Sequence, residues 1–255
     1  MPVAVMRTGS RRCVIHVAEN RSDTMLAVED LTFSYGAVRV LNEVSLSVPR
    51  GRITCVMGRN GVGKTTLMKN VMGLLKAESG KVVLEGRDVT SLSGNRRARA
   101  GIALGPQGRQ IFPRLTVEEN LRVGMEARAV ARGKVPEFVY DMFPVLKEMT
   151  RRKGGDLSRG QQQQLAISRA LVGNPRVLLL DEPTEGIQPN IIQQIGETLR
   201  QLVDETGLTV VLVEQYLDFV REFGDEFSLM DRGRVVAQGE TGDLTKEIVE
   251  AHLTV

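Results

Sequence analysis

The sequence predicts an α/β fold in which helices cover both faces of a parallel sheet. Three short apolar runs, Ile53–Met57, Val177–Leu180 and Val210–Val213, are typical of buried strands in such a sheet. A glycine-rich loop follows the first run, and apolar residues at helical spacing follow that loop. Strands that alternate with helices favour parallel pairing through helical crossovers.

The composition of the 255-residue chain is that of a folded globular protein. Apolar residues make up 42% and charged residues 25%, which argues against a largely disordered or fibrous chain. The net charge of +3 is small and gives weak support for nucleic-acid binding. Two cysteines cannot build a disulfide scaffold, and no apolar run approaches the ~18 residues of a membrane helix. We therefore expect any membrane role to come through a partner.

We expect residues 1–24 to be a disordered extension and residues 25–255 to form the folded domain. The extension carries four arginines, and its apolar stretches are too short for the core of a signal peptide. Two strands are predicted at the start of the domain, around Leu26–Phe33 and Val44–Val48.

The middle and the end of the domain have different patterns. Residues 115–155 carry apolar residues at helical spacing and no strand pattern, which predicts a small helical lobe. Phe227–Met230 and Val235–Ala237 flank a turn and predict a hairpin before a last helix. A cluster of arginines at positions 96, 97 and 99 is interpreted as a solvated face, with lipid headgroups or a membrane subunit as the alternative contact.

Residues Gly58–Thr65 fit the spacing G-x-x-x-x-G-K-[ST] of a phosphate-binding loop. The glycines let backbone N–H groups point inward around an anion, and the helix that begins near Lys64 adds the positive end of its dipole. Lys64 can reach the β- and γ-phosphates of a nucleoside triphosphate, and the Thr65 hydroxyl can ligate Mg²⁺. The residues of this segment, and the one residue after it, that we expect to bind the nucleotide are Gly58, Asn60, Gly61, Gly63, Lys64, Thr65 and Thr66.

Two carboxylates, Asp181 and Glu182, directly follow the second predicted strand. Ligands of an open parallel sheet lie at the carboxyl ends of its strands. Alone, this pair is equally consistent with a solvated acidic turn, but beside a phosphate loop it predicts a catalytic site. Asp181 is then expected to hold Mg²⁺ directly or through water, and Glu182 to act as the general base on an attacking water.

The segment Leu157–Gln161, with sequence LSRGQ, precedes a predicted helix. Ser158 is expected to cap that helix, which leaves N–H groups at its start as a second anion-binding end. One chain seldom needs two such ends for one γ-phosphate, so we expect two chains to pair head to tail. Each would lend Ser158, Gly160 and Gln161 to the nucleotide of the other.

These motifs together resemble the ATP-binding-cassette (ABC) ATPases, whose signature sequence is L-S-G-G-Q. The similarity covers essentially all of residues 25–255. It implies a P-loop NTPase with a RecA-like parallel-sheet core, a small antiparallel β part and a helical subdomain at about 108–160, with ATP and Mg²⁺ as cofactors. It also implies that Tyr35 stacks on the adenine, and that Gln107 senses Mg²⁺ and the γ-phosphate and links the core to the helical lobe.

Within that family the sequence is most similar to the ATPases of branched-chain amino acid and urea uptake. The stretches that carry this likeness are GPQGRQIFPRLTVEENL (105–121), GGDLSRGQQQQLAI (154–167), DEPTEGIQP (181–189) and VEQYLDF (213–219). The glutamine run and the last two stretches are more similar to the urea-type subunit.

The resemblance implies the ATPase subunit of an importer, peripheral to the cytoplasmic face of the inner membrane and energising uptake of urea or short amides. Its implied partners are membrane permeases, a second ATPase (a related subunit or a second copy) and, indirectly, a solute-binding protein, but no nucleic acid. The alternatives are a branched-chain amino acid importer and a soluble cassette ATPase without a transport role. A GTPase is disfavoured because an Asn-Lys-x-Asp motif is absent.

The sequence departs from the general cassette pattern at three positions. Arg159 replaces the first glycine of the signature, and Gln188 stands where a loop aspartate is common. Gln215 stands where the general cassette has a histidine. An amide can donate a hydrogen bond to a γ-phosphate oxygen but cannot relay a proton. We therefore expect Gln215 to position the phosphate and Glu182 to do the acid–base work.

Overall fold

The computed structural model describes residues 23–126, 134–245 and 247–249. The predicted extension therefore lies outside the described residues except for its last two positions, and of the predicted last helix only 247–249 are described, as helical. The strands are β1 (Thr24–Tyr35), β2 (Val38–Pro49), β3 (Ile53–Met57), β4 (Ser79–Leu84), β5 (Arg87–Asp88), β6 (Ile102–Gly105), β7 (Val177–Asp181), β8 (Thr209–Val213), β9 (Glu226–Asp231) and β10 (Arg234–Glu240). The α-helices are α1 (Lys64–Met72), α2 (Gly94–Ala100), α3 (Val117–Glu126), α4 (Glu137–Met142), α5 (Pro144–Glu148), α6 (Arg159–Leu171), α7 (Pro189–Thr206) and α8 (Leu217–Phe223).

The central sheet has six strands in the order β10-β9-β3-β8-β7-β6, and all neighbours are parallel except the β9–β10 hairpin. Every residue of β3, β7 and β8 is buried. Continuous apolar strands of this kind occur where helices cover both faces of a sheet. The three strands predicted from their apolar runs are thus neighbours at the centre of the sheet, and the predicted fold class is confirmed.

The second sheet is antiparallel and has the order β2-β1-β4-β5. It contains the two strands predicted at the start of the domain, and β4 and β5 complete it. Sequence analysis did not predict β4, β5 or β6, the last of which lies at the edge of the central sheet. All three are short, and glycines lie within or beside them.

One charged residue lies in an environment opposite to the predicted one. Arg97 was expected on a solvated face, but it is only 3% exposed. Its guanidinium donates to the main-chain oxygens of Asn70 and Val71 at 2.8 Å, and to those of Thr90 and Leu92. Since the first two oxygens lie in the last turn of α1, the cation stabilises the negative end of the helix that follows the phosphate loop. Its interpretation as a membrane-contacting residue is therefore wrong.

The predicted helical lobe contains α3, α4 and α5 and packs on α6. Helices α3 and α6 approach closely at Gly124, where an added Cβ would clash with the main-chain oxygen of Arg169 and lie 2.6 Å from Val172 Cγ1. The lobe is therefore joined to the core by direct contact between two helix backbones. Among the described helices, none combines the length and apolar character needed to span a bilayer.

This close approach leads to a stability prediction. Replacing Gly124 by alanine is expected to lower the free energy of unfolding by about 1–3 kcal/mol, because α3 must move away from α6. Gly242→Ala is the matched control, since nothing lies within 4 Å of its Cβ position. Thermal unfolding of the two variants checks this, and equal melting temperatures would contradict the described packing.

Candidate nucleotide-binding and hydrolysis site

Three groups of predicted site residues lie at the ends of adjacent strands of the central sheet or on the loops that follow them. The phosphate loop follows β3, the acidic pair ends β7, and Gln215 follows β8. Val213 pairs with Val56 on one side and with Asp181 on the other. The carboxyl ends of the three strands are therefore at the same level, which brings their loops together.

The phosphate loop depends on glycines in backbone conformations that other residues rarely adopt. Gly58 has φ 145°, and an added Cβ would clash with the main-chain oxygen of Met230. Gly63 has φ 111° and occupies the N-cap position of α1 without a side-chain cap. The first N–H groups of α1 therefore have no capping side chain, which suits an anion at this helix end.

Lys64 lies in the middle of this site and is buried. Its Nζ donates to the main-chain oxygens of Gly58 at 2.7 Å and Arg59 at 2.9 Å. The ammonium is also 4.0 Å from Glu182 Oε1. Burial lowers the pKa of Lys64, and the nearby carboxylates of Glu182, Asp181 and Glu214 oppose that shift. The cation is thus held inside an acidic cluster next to the loop.

The donor set around Asp181 fits a magnesium ion. Its carboxylate accepts a hydrogen bond from the Thr65 side chain, while its buried Oδ1 has no hydrogen-bond partner among the described residues. Burial raises the pKa of Asp181, and the hydrogen bond from Thr65 acts in the opposite direction. A buried carboxylate oxygen without a partner, beside a hydroxyl, is a suitable ligand pair for a hard divalent cation.

Glu182 is held by amides from two different loops. Gln215 Nε2 lies 2.6 Å from Glu182 Oε1, and Gln107 Nε2 lies 2.9 Å from Glu182 Oε2. The backbone of Glu182 has φ 50°, a strained conformation for a non-glycine residue, and its N–H donates to Val213 O at 3.0 Å. The structure thus brings together three residues that sequence analysis had singled out separately.

Gln215 also connects the acidic pair to the phosphate loop. The same Nε2 that contacts Glu182 lies 2.8 Å from the side-chain oxygen of Asn60. Behind it, the buried carboxylate of Glu214 accepts hydrogen bonds from the main-chain N–H groups of Gln215 and Tyr216. Sequence analysis missed Glu214, although a carboxylate at the end of an apolar strand is the same pattern that identified Asp181.

The loop that carries Gln107 is strained and clamped by two arginines. Three successive residues, Gly108, Arg109 and Gln110, have φ values of 74°, 66° and 45°. Arg169 donates to the main-chain oxygens of Gln110 at 2.8 Å and Arg109 at 3.3 Å, and Arg109 donates to that of Glu185 at 3.0 Å. Sequence analysis did not identify these contacts, because every residue type has a main-chain oxygen and the sequence does not indicate which of them accept a hydrogen bond.

The Ser158 segment forms the predicted cap at the start of α6. Ser158 Oγ accepts from the N–H of Gln161, and Gln161 Oε1 accepts from the N–H of Ser158, which completes a capping box. Gly160 leaves room for Ile191 of α7, whose Cγ1 lies 3.1 Å from the position of an added Cβ. No hydrogen bond or ion pair within the described residues joins this segment to the phosphate loop.

Tyr35 is also outside the cluster around Glu182. It ends β1, is 49% exposed, and packs edge-to-face on Phe33 with ring centroids 4.8 Å apart. About half of Tyr35 therefore remains accessible to a ligand.

Comparisons with known proteins decide the family. The sequence profile of the family described as "ABC transporter" matches residues 41–185. The chain belongs to this family. It is 41% identical to the high-affinity branched-chain amino acid transport ATP-binding protein BraG of Pseudomonas aeruginosa, over 83% of this chain and 91% of that protein. It is 38% identical to the probable branched-chain amino acid transport ATP-binding protein LivF of Archaeoglobus fulgidus, over 86% of this chain and 94% of the relative.

Solved ABC cassettes have the same fold. A nucleotide-free ATP-binding cassette from an ABC transporter superposes with a TM-score of 0.78 at 29% identity, and covers 91% of this chain and 96% of its own. The dimeric cassette MJ0796, described as bacterial, has a TM-score of 0.78 at 26% identity and covers 85% of this chain and 99% of its own. This ABC protein is therefore an ATPase that couples ATP hydrolysis to transport, as the resemblance to the ABC ATPases implied.

Proposed function

We propose that this ABC protein is the ATPase subunit of an importer for branched-chain amino acids, peripheral to the cytoplasmic face of the membrane. The similarity to BraG and LivF supports this solute class over urea, which sequence analysis had placed first. The proposal that the protein hydrolyses ATP through Glu182 depends on one observation. The Glu182 carboxylate accepts hydrogen bonds from Gln107 and Gln215 and lies 4.0 Å from the Lys64 ammonium.

In the proposed reaction, the phosphate loop and Lys64 bind the β- and γ-phosphates of ATP. Asp181, Thr65 and Gln107 would hold Mg²⁺, which neutralises phosphate charge when bound. Glu182 takes a proton from the attacking water, the water oxygen bonds to the γ-phosphorus, and the bond to the ADP oxygen breaks. One N–H of the Gln215 amide keeps Glu182 oriented, and the other, which contacts Asn60 in the structure, turns to a γ-phosphate oxygen when ATP binds. Tyr35 stacks on the adenine.

We further propose that each nucleotide is completed by the Ser158 segment of a second ATPase, a copy of this chain or a related subunit. Ser158, Gly160 and Gln161 lie at the start of the 13-residue helix α6, where main-chain N–H groups have no intrahelical partner. The absence of any described bond between this segment and the phosphate loop of the same chain is consistent with such a role in trans.

An apolar groove between the core and the helical lobe suits a permease partner. It has a volume of about 440 Å³ and is rimmed by the exposed side chains of Leu74, Phe112 and Val123. Gln110 of the clamped loop after Gln107 also lines it, as does Arg169 of α6, which donates to the main-chain oxygen of Gln110. A cytoplasmic segment of the permease bound here would therefore contact the loop that contacts Glu182.

A transport assay tests the solute class. The ATPase is reconstituted in vesicles with the permeases and the solute-binding protein with which it co-purifies, and ATP-dependent uptake of labelled leucine and urea is measured. We expect leucine uptake that depends on ATP. Urea uptake without leucine uptake would favour the urea-type alternative, which the glutamine run and the stretches after Asp181 and Val213 suggest. Uptake of neither would contradict the importer proposal.

The amide at position 215 also predicts a pH dependence. Because Gln215 cannot titrate, the pH–rate profile of ATP hydrolysis should lack a limb with a pKa near ~6.5, the ordinary value of histidine. The two histidines of the chain, His16 and His252, lie outside the described residues. Gln215→His is the matched variant and should introduce such a limb. A histidine-like limb in the unmodified protein would contradict the assignment.

A further inference from the structure

The Glu214 carboxylate is buried between two catalytic loops. It is 3% exposed and directly follows β8. Three donors surround it: the Thr184 hydroxyl at 2.8 Å from Oε2, and the N–H groups of Gln215 at 2.9 Å and Tyr216 at 3.2 Å from Oε1. Each carboxylate oxygen is therefore bonded to a different segment of the chain.

Thr184 belongs to the loop after β7, two residues beyond Glu182, and its side chain is buried. The Thr184–Glu214 bond thus joins the loop of Glu182 to the loop of Gln215. The exposed bond between Gln215 and Glu182 joins the same two loops at the surface.

The chain retains this arrangement although a buried carboxylate is costly. Burial raises the pKa of Glu214 and the charge of Glu182 acts in the same direction, whereas the three hydrogen bonds lower it. A carboxylate that loses one of these donors keeps a buried oxygen without a partner, and the loops are expected to shift to satisfy it.

We propose that Glu214 is a positioning residue for ATP hydrolysis, because it fixes the main chain of Gln215 relative to the loop of Glu182. The Gln215 amide is exposed and contacts Asn60 and Glu182 through one nitrogen. A small rotation of its backbone would break both contacts. The two N–H bonds to Glu214 prevent that rotation, and the Thr184 bond sets the distance between the loops. This proposal rests on the roles proposed above for Glu182 and Gln215.

Variants of Thr184 provide a matched test that leaves both catalytic side chains in place. Thr184→Val keeps the shape of the side chain but removes its hydroxyl, and Thr184→Ser keeps the hydroxyl. We expect Thr184→Val to lower kcat about tenfold with an ATP affinity within about twofold of the original protein, as for the loss of a hydrogen bond to a charged group. Thr184→Ser is expected to keep at least about half of the rate. Equal losses in both variants, or a parallel loss of ATP affinity, would overturn the proposal.

A double-mutant cycle with Gln215→Ala then shows whether the effect passes through Gln215. Thr184→Val should cost little further kcat once the amide is gone, so the two effects should be strongly non-additive. Glu214→Gln, which keeps the side-chain size, gives an independent second cycle with the same expected outcome. Fully multiplicative effects in both cycles would show that Glu214 does not act through Gln215.

The control Glu182→Gln separates this inference from the proposed mechanism. If Glu182→Gln hydrolyses ATP at the normal rate, the assignment of the base fails. If that variant is inactive and the cycles are multiplicative, only the role of Glu214 fails.

Discussion

Glu182→Gln is expected to bind ATP normally and to hydrolyse it about 10²–10⁴ times more slowly. The amide keeps the size of the side chain but cannot accept the proton of the attacking water. ATP binding should persist, because the phosphate loop, Lys64 and Asp181 are unchanged. Steady-state phosphate release and equilibrium ATP binding by the purified subunit measure the two effects.

A neighbouring carboxylate provides the control for this variant. Glu185 also accepts a hydrogen bond from Gln107, at 3.2 Å, but no described bond joins it to Gln215. Glu185→Gln should therefore keep a rate within about threefold of the original, as for loss of an exposed hydrogen bond. Similar large losses in both variants would show that the general base is not specifically Glu182.

Lys64→Ala is expected to weaken ATP binding about 10²-fold or more, since it removes a charge-assisted contact with the triphosphate. The loss has a second cause in this site. Lys64 is the buried cation that faces Asp181, Glu182 and Glu214, and without it these carboxylates would repel the incoming phosphates.

Lys69→Ala makes the same charge change on the same helix but away from the loop. Lys69 is partly exposed and lines the apolar groove rather than the phosphate loop. We expect its ATP affinity to stay within about threefold of the original. An equal loss for the two variants, measured by equilibrium binding, would mean that long-range charge rather than contact at Lys64 governs affinity.

The sequence predicted best those features that depend on contiguous residues. The apolar runs of β3, β7 and β8 predicted the centre of the sheet, because burial on both faces leaves a local pattern. The spacing Gly58–Thr65 likewise predicted the glycine-rich loop between β3 and α1. The cap at Ser158 is of the same kind, since a capping box needs residues only three positions apart.

Contacts between distant residues could not be predicted in this way. Arg97 was placed on the surface because a charged residue is rarely buried, yet four main-chain oxygens satisfy its guanidinium. The contact between Glu214 and Thr184 could not be predicted, because the two residues lie on different loops. Convergence of Gln107 and Gln215 on Glu182 likewise follows from strand order, which residue patterns alone do not determine. Each of these contacts depends on how elements from different parts of the chain pack together.

The pairing of two chains around the nucleotide is tested most directly by the mass of the Glu182→Gln protein in the presence of ATP and Mg²⁺. Light scattering should show an ATP-dependent particle of about twice the 28.1 kDa chain. Adding Ser158→Arg to this variant should abolish the dimer without preventing ATP binding. A single chain that holds ATP tightly, together with ATP turnover that survives Ser158→Arg in the otherwise unmodified protein, would contradict the account.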